Sequence, residues 1–236
     1  MLFFDYYYVV LVLPFVLLAL WASINVKSTF KKYSKQHSMR RITGAEAAQR
    51  VLFANGVRDV QIQRISGDLT DHFDPKANVI RLSESVYDST STAAIGVACH
   101  EAGHAVQYAQ SYAPIKLRAA IIPVTNIGSI LSMPLILIGL LFAYRGSNVS
   151  NTFIWMGIAF FALSLVFQLV TLPVEFNASR RAMRAIADSN ILTQDEQAGA
   201  RKTLTAAAMT YVAATAVALA QLLRLILIFG GGSRDD

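Results

Sequence analysis

The motif His100-Glu101-Ala102-Gly103-His104 has the residue types and the spacing of a hydrolytic zinc site. On a helix, residues four positions apart project from one face, so both imidazoles can reach the same Zn²⁺ at roughly 2.0–2.1 Å. Glu101 lies about a third of a turn away, where its carboxylate can take a proton from a water molecule that the metal activates. The spacing therefore predicts His100 and His104 as metal ligands and Glu101 as the catalytic base.

A catalytic zinc site also needs a third protein ligand and one open coordination position. Three residues elsewhere in the chain are candidates. His37 lies in a basic run, and His72 lies in a segment typical of a turn. Glu175 lies between the end of an apolar stretch and the start of a polar one. It could be the third ligand, or it could be an anion that caps a helix at a membrane interface. The residues alone leave this choice open.

The motif requires a helix to position it. The segment from Thr92 to Gln110 is rich in alanine and free of proline, and it predicts that helix. Gly103 within the helix permits a close approach, either by a neighbouring backbone in helix packing or by a substrate. The pattern favours neither of these two roles.

The residues before the motif helix predict a small folded region. Thr43 and Glu46 form a capping-box pattern, which predicts a short amphipathic helix that ends at Asn55-Gly56. Residues 60–65 and 78–82, separated by turn signals, predict two or three short antiparallel strands. The helix, the strands and the motif helix together predict a small α+β region.

The composition places this region in a membrane protein. Of the 236 residues, 54% are hydrophobic and only 15% are charged, whereas a soluble domain has about 25% charged residues. Such a composition excludes a disordered chain, a nucleic-acid-binding domain with a broad basic face, and most soluble enzymes. The single cysteine, Cys99, excludes an intramolecular disulfide, and we expect it to pack in the core rather than bind metal.

Four stretches are long enough to cross a bilayer, whose hydrocarbon core needs about 20 apolar residues. They are residues 6–26, 119–144, 146–174 and 203–229. The fourth is the weakest, because it is rich in Ala and Thr and contains Arg224. If it spans, we expect Arg224 to extend to the interface. The sequence thus predicts a mainly α membrane protein with three to four transmembrane helices.

The positions of the cations predict the orientation in the membrane. Residues 27–118 hold 13 of the 21 Lys and Arg residues, and residues 176–208 hold five more. The second and third stretches form a hairpin, which places both basic segments on one side. By the positive-inside rule that side is cytoplasmic and the N-terminus is outside. The predicted zinc site then faces the cytoplasm at the membrane surface.

Several motifs in combination resemble those of the YugP-type bacterial membrane zinc metallopeptidases. The resemblance rests on five segments spread over almost the whole chain: His100–Gln107, Leu172–Ser179, Gly67–Pro75, Arg81–Glu84 and Gln221–Arg224. More distantly, the chain is similar to the HtpX and CAAX prenyl protease group of gluzincins. These families imply a zinc ion held by His100, His104 and Glu175, with Glu101 as the catalytic base. They also imply that a strand beside the motif helix binds an extended peptide substrate.

The chain departs from the HtpX-like pattern at Ser179, where an Asp that supports a zinc-bound histidine is expected. The hydroxyl of Ser179 can still hydrogen-bond an imidazole. Alternatively, Asp71 or Asp74 supports the zinc-bound histidine in its place. The donor that stabilises the oxyanion is likewise open, and its candidates are His72, Asn177 and Arg181.

The resemblance and the hydropathy pattern together predict a small α+β gluzincin-like zinc peptidase subdomain in a helical membrane protein. The predicted segments are an N-terminal transmembrane anchor (1–26), a cytoplasmic catalytic portion (27–118), a transmembrane hairpin (119–174), cytoplasmic helices with the third zinc ligand (175–208), and a C-terminal transmembrane helix with a short tail (209–236).

The leading hypothesis is a membrane-anchored zinc endopeptidase of the bacterial plasma membrane, with one Zn²⁺ per chain. Its expected partners are a protein or peptide substrate and the lipid bilayer, and we expect no nucleic acid partner. Whether a membrane protein also binds the chain is left open by the sequence. A site-2-type intramembrane protease is an alternative, although no Asp lies in any apolar stretch. A non-catalytic membrane scaffold with a structural metal is the other alternative, although a structural site would have no need of Glu101.

Overall fold

The computed structural model describes residues 5–146 and 149–230. Within these residues a π-helical turn, Tyr8–Val12, leads into the first of seven α-helices, and three strands lie between the second and third helices. The helices are α1 (Leu13–Tyr33), α2 (Gly44–Ala54), α3 (Glu84–Tyr87), α4 (Thr92–Ala109), α5 (Ala113–Tyr144), α6 (Ser150–Asp188) and α7 (Gln194–Gly230). The strands are β1 (Gln61–Ile65), β2 (His72–Asp74) and β3 (Val79–Ser83). Part of the predicted hairpin turn, residues 147–148, and the end of the predicted tail, residues 231–236, lie outside the described residues.

Four helices are long and apolar enough to cross a membrane. They are Tyr8–Tyr33, Ala113–Tyr144, Ser150–Asp188 and Gln194–Gly230. The upper number of predicted spans is therefore confirmed, and the chain is a mainly α membrane protein. At 1.5 Å per residue the 39 residues of α6 extend about 58 Å, nearly twice the roughly 30 Å hydrocarbon core. A single continuous helix can thus contain both an apolar span and the polar residues that follow it.

The chain divides into two compact units. The first, as far as its residues are described, consists of Met1–Trp21, Leu117–Thr171 and Tyr211–Asp236, and the second consists of Ala22–Lys116 and Leu172–Thr210. We call them the spanning unit and the catalytic-motif unit. The predicted five-segment division according to the side of the membrane stays a prediction.

The spanning unit is held together by close helix packing. Gly139 of α5 faces Ile154 of α6, and Gly157 of α6 faces the Ser132 carbonyl of α5 so closely that an added Cβ would lie 2.7 Å from it. The hydroxyl of Ser132 donates a hydrogen bond of 2.9 Å to the carbonyl of Gly157. Large apolar side chains cover the outside of this unit; Ile130, for example, is 71% exposed. Such a surface is what a bilayer covers.

Arg224, in the fourth apolar stretch, has a charged partner within the protein, and its extension to the interface stays a prediction. It is buried in the spanning unit, and its Nε donates a hydrogen bond of 3.0 Å to a carboxylate oxygen of Asp5. The ring of Tyr8 lies 5.4 Å from the guanidinium carbon. A cation in apolar surroundings is costly unless a counter-charge compensates it, and Asp5 is close enough to do so.

The catalytic-motif unit contains the sheet, whose strand order is β1-β3-β2. The two segments predicted as antiparallel strands form β1 and β3, but they pair in parallel, so that prediction is wrong. The antiparallel partner of β3 is β2, which begins at His72, in the segment whose residues suggested a turn. β1 and β2 do run in opposite directions, as the turn between them suggests. However, β3 lies between them because it is the most apolar strand, with Val79, Ile80 and Leu82 all buried, and a central position covers it best.

The helices of this unit form as the sequence predicts. Thr43 and Glu46 form the reciprocal bonds of a capping box at the start of α2, and α2 ends before Asn55. The hydroxyl of Ser91 accepts the backbone N–H of Ala94 and caps the start of α4. α2 and α4 pack against each other over a core that also includes β3 and the later part of α6.

Candidate metal centre

The motif helix α4 is buried along most of its length. Small side chains such as Ala98, Ala102 and Ala105 let neighbouring elements approach it from several directions, and each is at most 1% exposed. Cys99 also packs in this core, where burial raises the pKa of its thiol and keeps it protonated. The expectation that Cys99 packs rather than binds metal agrees with this position.

His100, His104 and Glu175 come together in the catalytic-motif unit, although 71 positions separate His104 from Glu175 in the chain. One carboxylate oxygen of Glu175 lies 3.2 Å from His100 Nε2 and 3.6 Å from His104 Nε2. One ligand atom from each residue lies within 4.8 Å of the others, a spacing that can hold a metal ion. Two imidazole nitrogens and one carboxylate oxygen are also a donor set that Zn²⁺ uses in catalytic sites.

The other ring nitrogens of the two histidines are already engaged. His100 Nδ1 lies 3.1 Å from the hydroxyl of Ser179 on α6. His104 Nδ1–H donates a hydrogen bond of 3.0 Å to Oε1 of Gln107. Both Nε2 atoms face Glu175. The bond to Gln107 fixes the proton of a neutral His104 on Nδ1, and the Ser179 hydroxyl can accept a hydrogen bond from His100 Nδ1–H in the same way, which is the tautomer that a metal ligand through Nε2 requires. The residues of this site therefore fit a zinc ion, and the hydroxyl of Ser179 does bond an imidazole as the sequence allowed.

Gln107 joins the two helices that carry the cluster. Its side chain is fully buried, and its Nε2 donates to the backbone carbonyl of Val174 at 2.9 Å and to Oδ1 of Asn177 at 3.0 Å. Because both amide hydrogens are used in this way, Oε1 is the atom that accepts from His104. The sequence patterns alone assigned no role to Gln107. Its position three residues after His104, on the same helix face, was a signal that could have suggested one.

Gly103 allows α4 and α6 to approach each other beside the cluster. A Cβ added at Gly103 would lie 2.7 Å from the backbone carbonyl oxygen of Ala178. Of the two roles left open for Gly103, the structure therefore shows helix packing. The close approach brings the ligand-bearing faces of α4 and α6 together.

Glu101 is buried beside the cluster, with 8% of its surface exposed. Burial raises the pKa of its carboxyl group to about 7, and the neighbouring charges of Glu175 and Asp71 act in the same direction. His100 and a backbone hydrogen bond from Phe73 on β2 act in the opposite direction. A carboxyl group with a pKa near neutrality can both accept and release a proton at physiological pH.

The remaining sequence candidates lie outside the cluster. His37 Nδ1 is 3.0 Å from the hydroxyl of Thr90, and His72 Nδ1–H donates to the carbonyl of Thr70. Neither histidine belongs to the group of metal-ligand atoms.

The two aspartates considered in place of Ser179 hold the sheet together instead. Asp71 accepts hydrogen bonds from the backbone N–H and the hydroxyl of Ser83, while burial raises the pKa of its carboxyl group. Asp74 pairs with Arg81 at 2.7 Å, a contact that holds the pKa of Asp74 at about 2. Both contacts anchor β2 to β3.

Two of the three residues considered for oxyanion stabilisation lie behind His104. Asn177 Oδ1 accepts from Gln107 and, at 2.7 Å, from Nε of Arg181. Arg181 also donates to Oε1 of Gln110 at 2.6 Å. The geometry thus places Asn177 and Arg181 in a hydrogen-bonded chain that supports His104.

Comparison with known proteins shows the family of the chain. A family model described as "Putative neutral zinc metallopeptidase" matches residues 8–230. The chain is also 47% identical to "Putative membrane protease YugP" of Bacillus subtilis (strain 168) over 219 residues, which cover 93% of this chain and 94% of the relative. No solved structure shows a significant match to the chain. The motif resemblance is thereby confirmed, and the chain belongs to this neutral zinc metallopeptidase family.

Proposed function

We propose that the protein is a zinc-dependent endopeptidase that hydrolyses peptide bonds at the cytoplasmic face of the membrane. The observation that carries this proposal is the convergence of His100 Nε2, His104 Nε2 and the Glu175 carboxylate beside the buried Glu101. A zinc ion held by these three residues, one per chain, would polarise the scissile carbonyl and activate a water molecule.

Glu101 acts as the general base and acid. Its carboxylate would take a proton from the attacking water and return it to the amine nitrogen that leaves, the two transfers of a general base and acid. The backbone hydrogen bond from Phe73 orients the carboxylate, and the surrounding core excludes bulk water from it. Gln107 accepts from His104 Nδ1–H and so keeps its Nε2 available, and the Ser179 hydroxyl can accept from His100 Nδ1–H to the same effect.

The substrate is a peptide segment in extended conformation. β2 is an edge strand, because it pairs with β3 on one side, and it also contacts α4. An extended peptide that adds to this edge would lie beside Glu101 and the metal-ligand cluster. The distribution of cations in the sequence favours a cytoplasmic location of the site, with the N-terminus outside.

The substitution Glu101→Gln tests the proposal, with Glu84→Gln as the matched control. Glu84 is an acid of the same unit, and its side chain is 58% exposed. For the full chain purified in detergent, we expect about one zinc per chain in both variants. We expect cleavage of an unstructured protein such as casein to fall by about 10²–10⁴-fold in Glu101→Gln only. Equal cleavage by the two variants would contradict the role of Glu101.

A further inference from the structure

A cavity of about 370 Å³ lies between α2 and α6 in the catalytic-motif unit, apart from the metal-ligand cluster. Three arginines from one face of α6 line it: Arg180, Arg181 and Arg184. Val51 of α2 and Asn55, which directly follows α2, form part of the wall as well. The proposed peptidase chemistry does not use this cavity, and of its three cations only Arg181 supports the metal centre, through Asn177 and Gln107.

The three guanidinium groups have no carboxylate partner among the described residues. Arg181 bonds only neutral oxygens, those of Asn177 and Gln110, and it lies 5.9 Å from the ring centre of Tyr112. Arg180 and Arg184 are exposed and form no hydrogen bond or ion pair in the described part of the chain. The lining contains one acid, Asp188, so its charge remains positive.

Like charges at spacings of three and four residues repel one another on a helix. A bound anion would remove this cost, and arginine suits an anion with several oxygens because its planar fork donates two parallel hydrogen bonds. A phosphate group offers enough acceptor oxygens for more than one guanidinium, whereas a single carboxylate offers only two. The volume of the cavity also leaves room for a substituent on the phosphate.

We infer that this arginine cavity is a binding site for a phosphate-bearing anion. The group comes either from a phospholipid headgroup or from free phosphate, since both present the same oxygens to the arginines. Arg181 connects the site to the metal centre, because Asn177 bonds both Arg181 and Gln107, and Gln107 bonds His104. The test therefore uses the two arginines outside that chain of hydrogen bonds.

The double variant Arg180→Gln/Arg184→Gln removes two positive charges from the cavity. Arg201→Gln/Lys202→Gln is the matched control, because it removes the same charge from two exposed positions of α7 outside the cavity lining. Each full-length protein, in an uncharged detergent at fixed ionic strength, is titrated calorimetrically with inorganic phosphate and separately with short-chain phosphatidylglycerol. The single variants Arg180→Gln and Arg184→Gln repeat the test independently of how the double variant folds.

We expect saturable binding by the unmodified protein and the control, weakened about tenfold or more for each cavity arginine removed. Saturation with both probes identifies the phosphate group as sufficient, whereas saturation with phosphatidylglycerol alone identifies a lipid headgroup, and with phosphate alone a free anion. The inference is overturned if neither probe saturates the unmodified protein. It is equally overturned if the cavity variants bind both probes as tightly as the control.

Discussion

The spanning unit and the catalytic-motif unit both bury charged side chains, but they compensate the charges in different ways. In the spanning unit Arg224 lies against the carboxylate of Asp5, so each charge meets its opposite within the protein. In the catalytic-motif unit the carboxylate of Glu175 faces two imidazoles, and Glu101 is buried nearby. Two buried carboxyl groups beside two histidines whose Nε2 atoms face Glu175 favour a bound cation. In the spanning unit, by contrast, the charges of Asp5 and Arg224 neutralise each other.

The largest effect in this comparison is expected from Glu175→Ala. Loss of the carboxylate removes the only anionic ligand from the cluster, so zinc affinity should fall by more than about 100-fold, the upper value for residues that merely support a ligand. Zinc content after dialysis, measured by mass spectrometry, checks this expectation. Glu84→Ala serves as the exposed control and should keep its zinc. Full zinc occupancy in Glu175→Ala would remove Glu175 from the ligand set.

Asp5→Asn tests the other half of the comparison. It removes the carboxylate partner of a buried arginine, and we expect the free energy of unfolding to fall by about 3 kcal/mol without any change in zinc content. The double variant Asp5→Asn/Arg224→Gln should recover most of the stability, because it removes the buried charge as well. Thermal denaturation in detergent, together with zinc analysis, measures both effects. A loss of zinc in Asp5→Asn would show that the pair does more than stabilise the spanning unit.

Gln107→Leu is expected to have a smaller effect on the metal centre than the loss of a ligand. Leucine fits the buried position but cannot accept from His104 or donate to Val174 and Asn177. Zinc affinity should therefore fall by about 10–100-fold, as is typical for residues that orient a metal ligand. Competition with a zinc-binding dye measures it, and Gln63→Leu on the exposed strand β1 is the control. Unchanged affinity would show that Ser179 and Glu175 suffice to orient the cluster.

The sequence predicted the parts of this structure that depend on local patterns. Apolar length predicted the four long helices, the capping box predicted α2, and the spacing of His100 and His104 predicted one shared helix face. The family resemblance singled out Glu175, which no local pattern connects with the motif. The structure brings it to both histidines because α6 continues beyond its apolar stretch and packs closely on Gly103.

Contacts between residues far apart in the chain could not be predicted from the sequence. The pairing of Asp5 with Arg224 and the contacts of Gln107 with α6 involve residues 219 and about 70 positions apart, respectively. The parallel pairing of β1 with β3 followed from competition for the central position in the sheet, which a strand-by-strand pattern does not reveal. The arginine cavity likewise forms only when α2 packs against α6.

Zinc X-ray absorption spectroscopy on the purified full-length chain tests the proposed metal centre most directly. The account predicts about one zinc per chain, with two imidazole nitrogens at about 2.0–2.1 Å and carboxylate oxygen at about 2.0–2.2 Å. It further predicts that Glu175→Ala, loaded with zinc at high concentration, retains the imidazole signals and alters the oxygen shell. A sulfur ligand at about 2.3 Å, or a spectrum that Glu175→Ala leaves unchanged, would contradict the assignment of the metal centre to His100, His104 and Glu175.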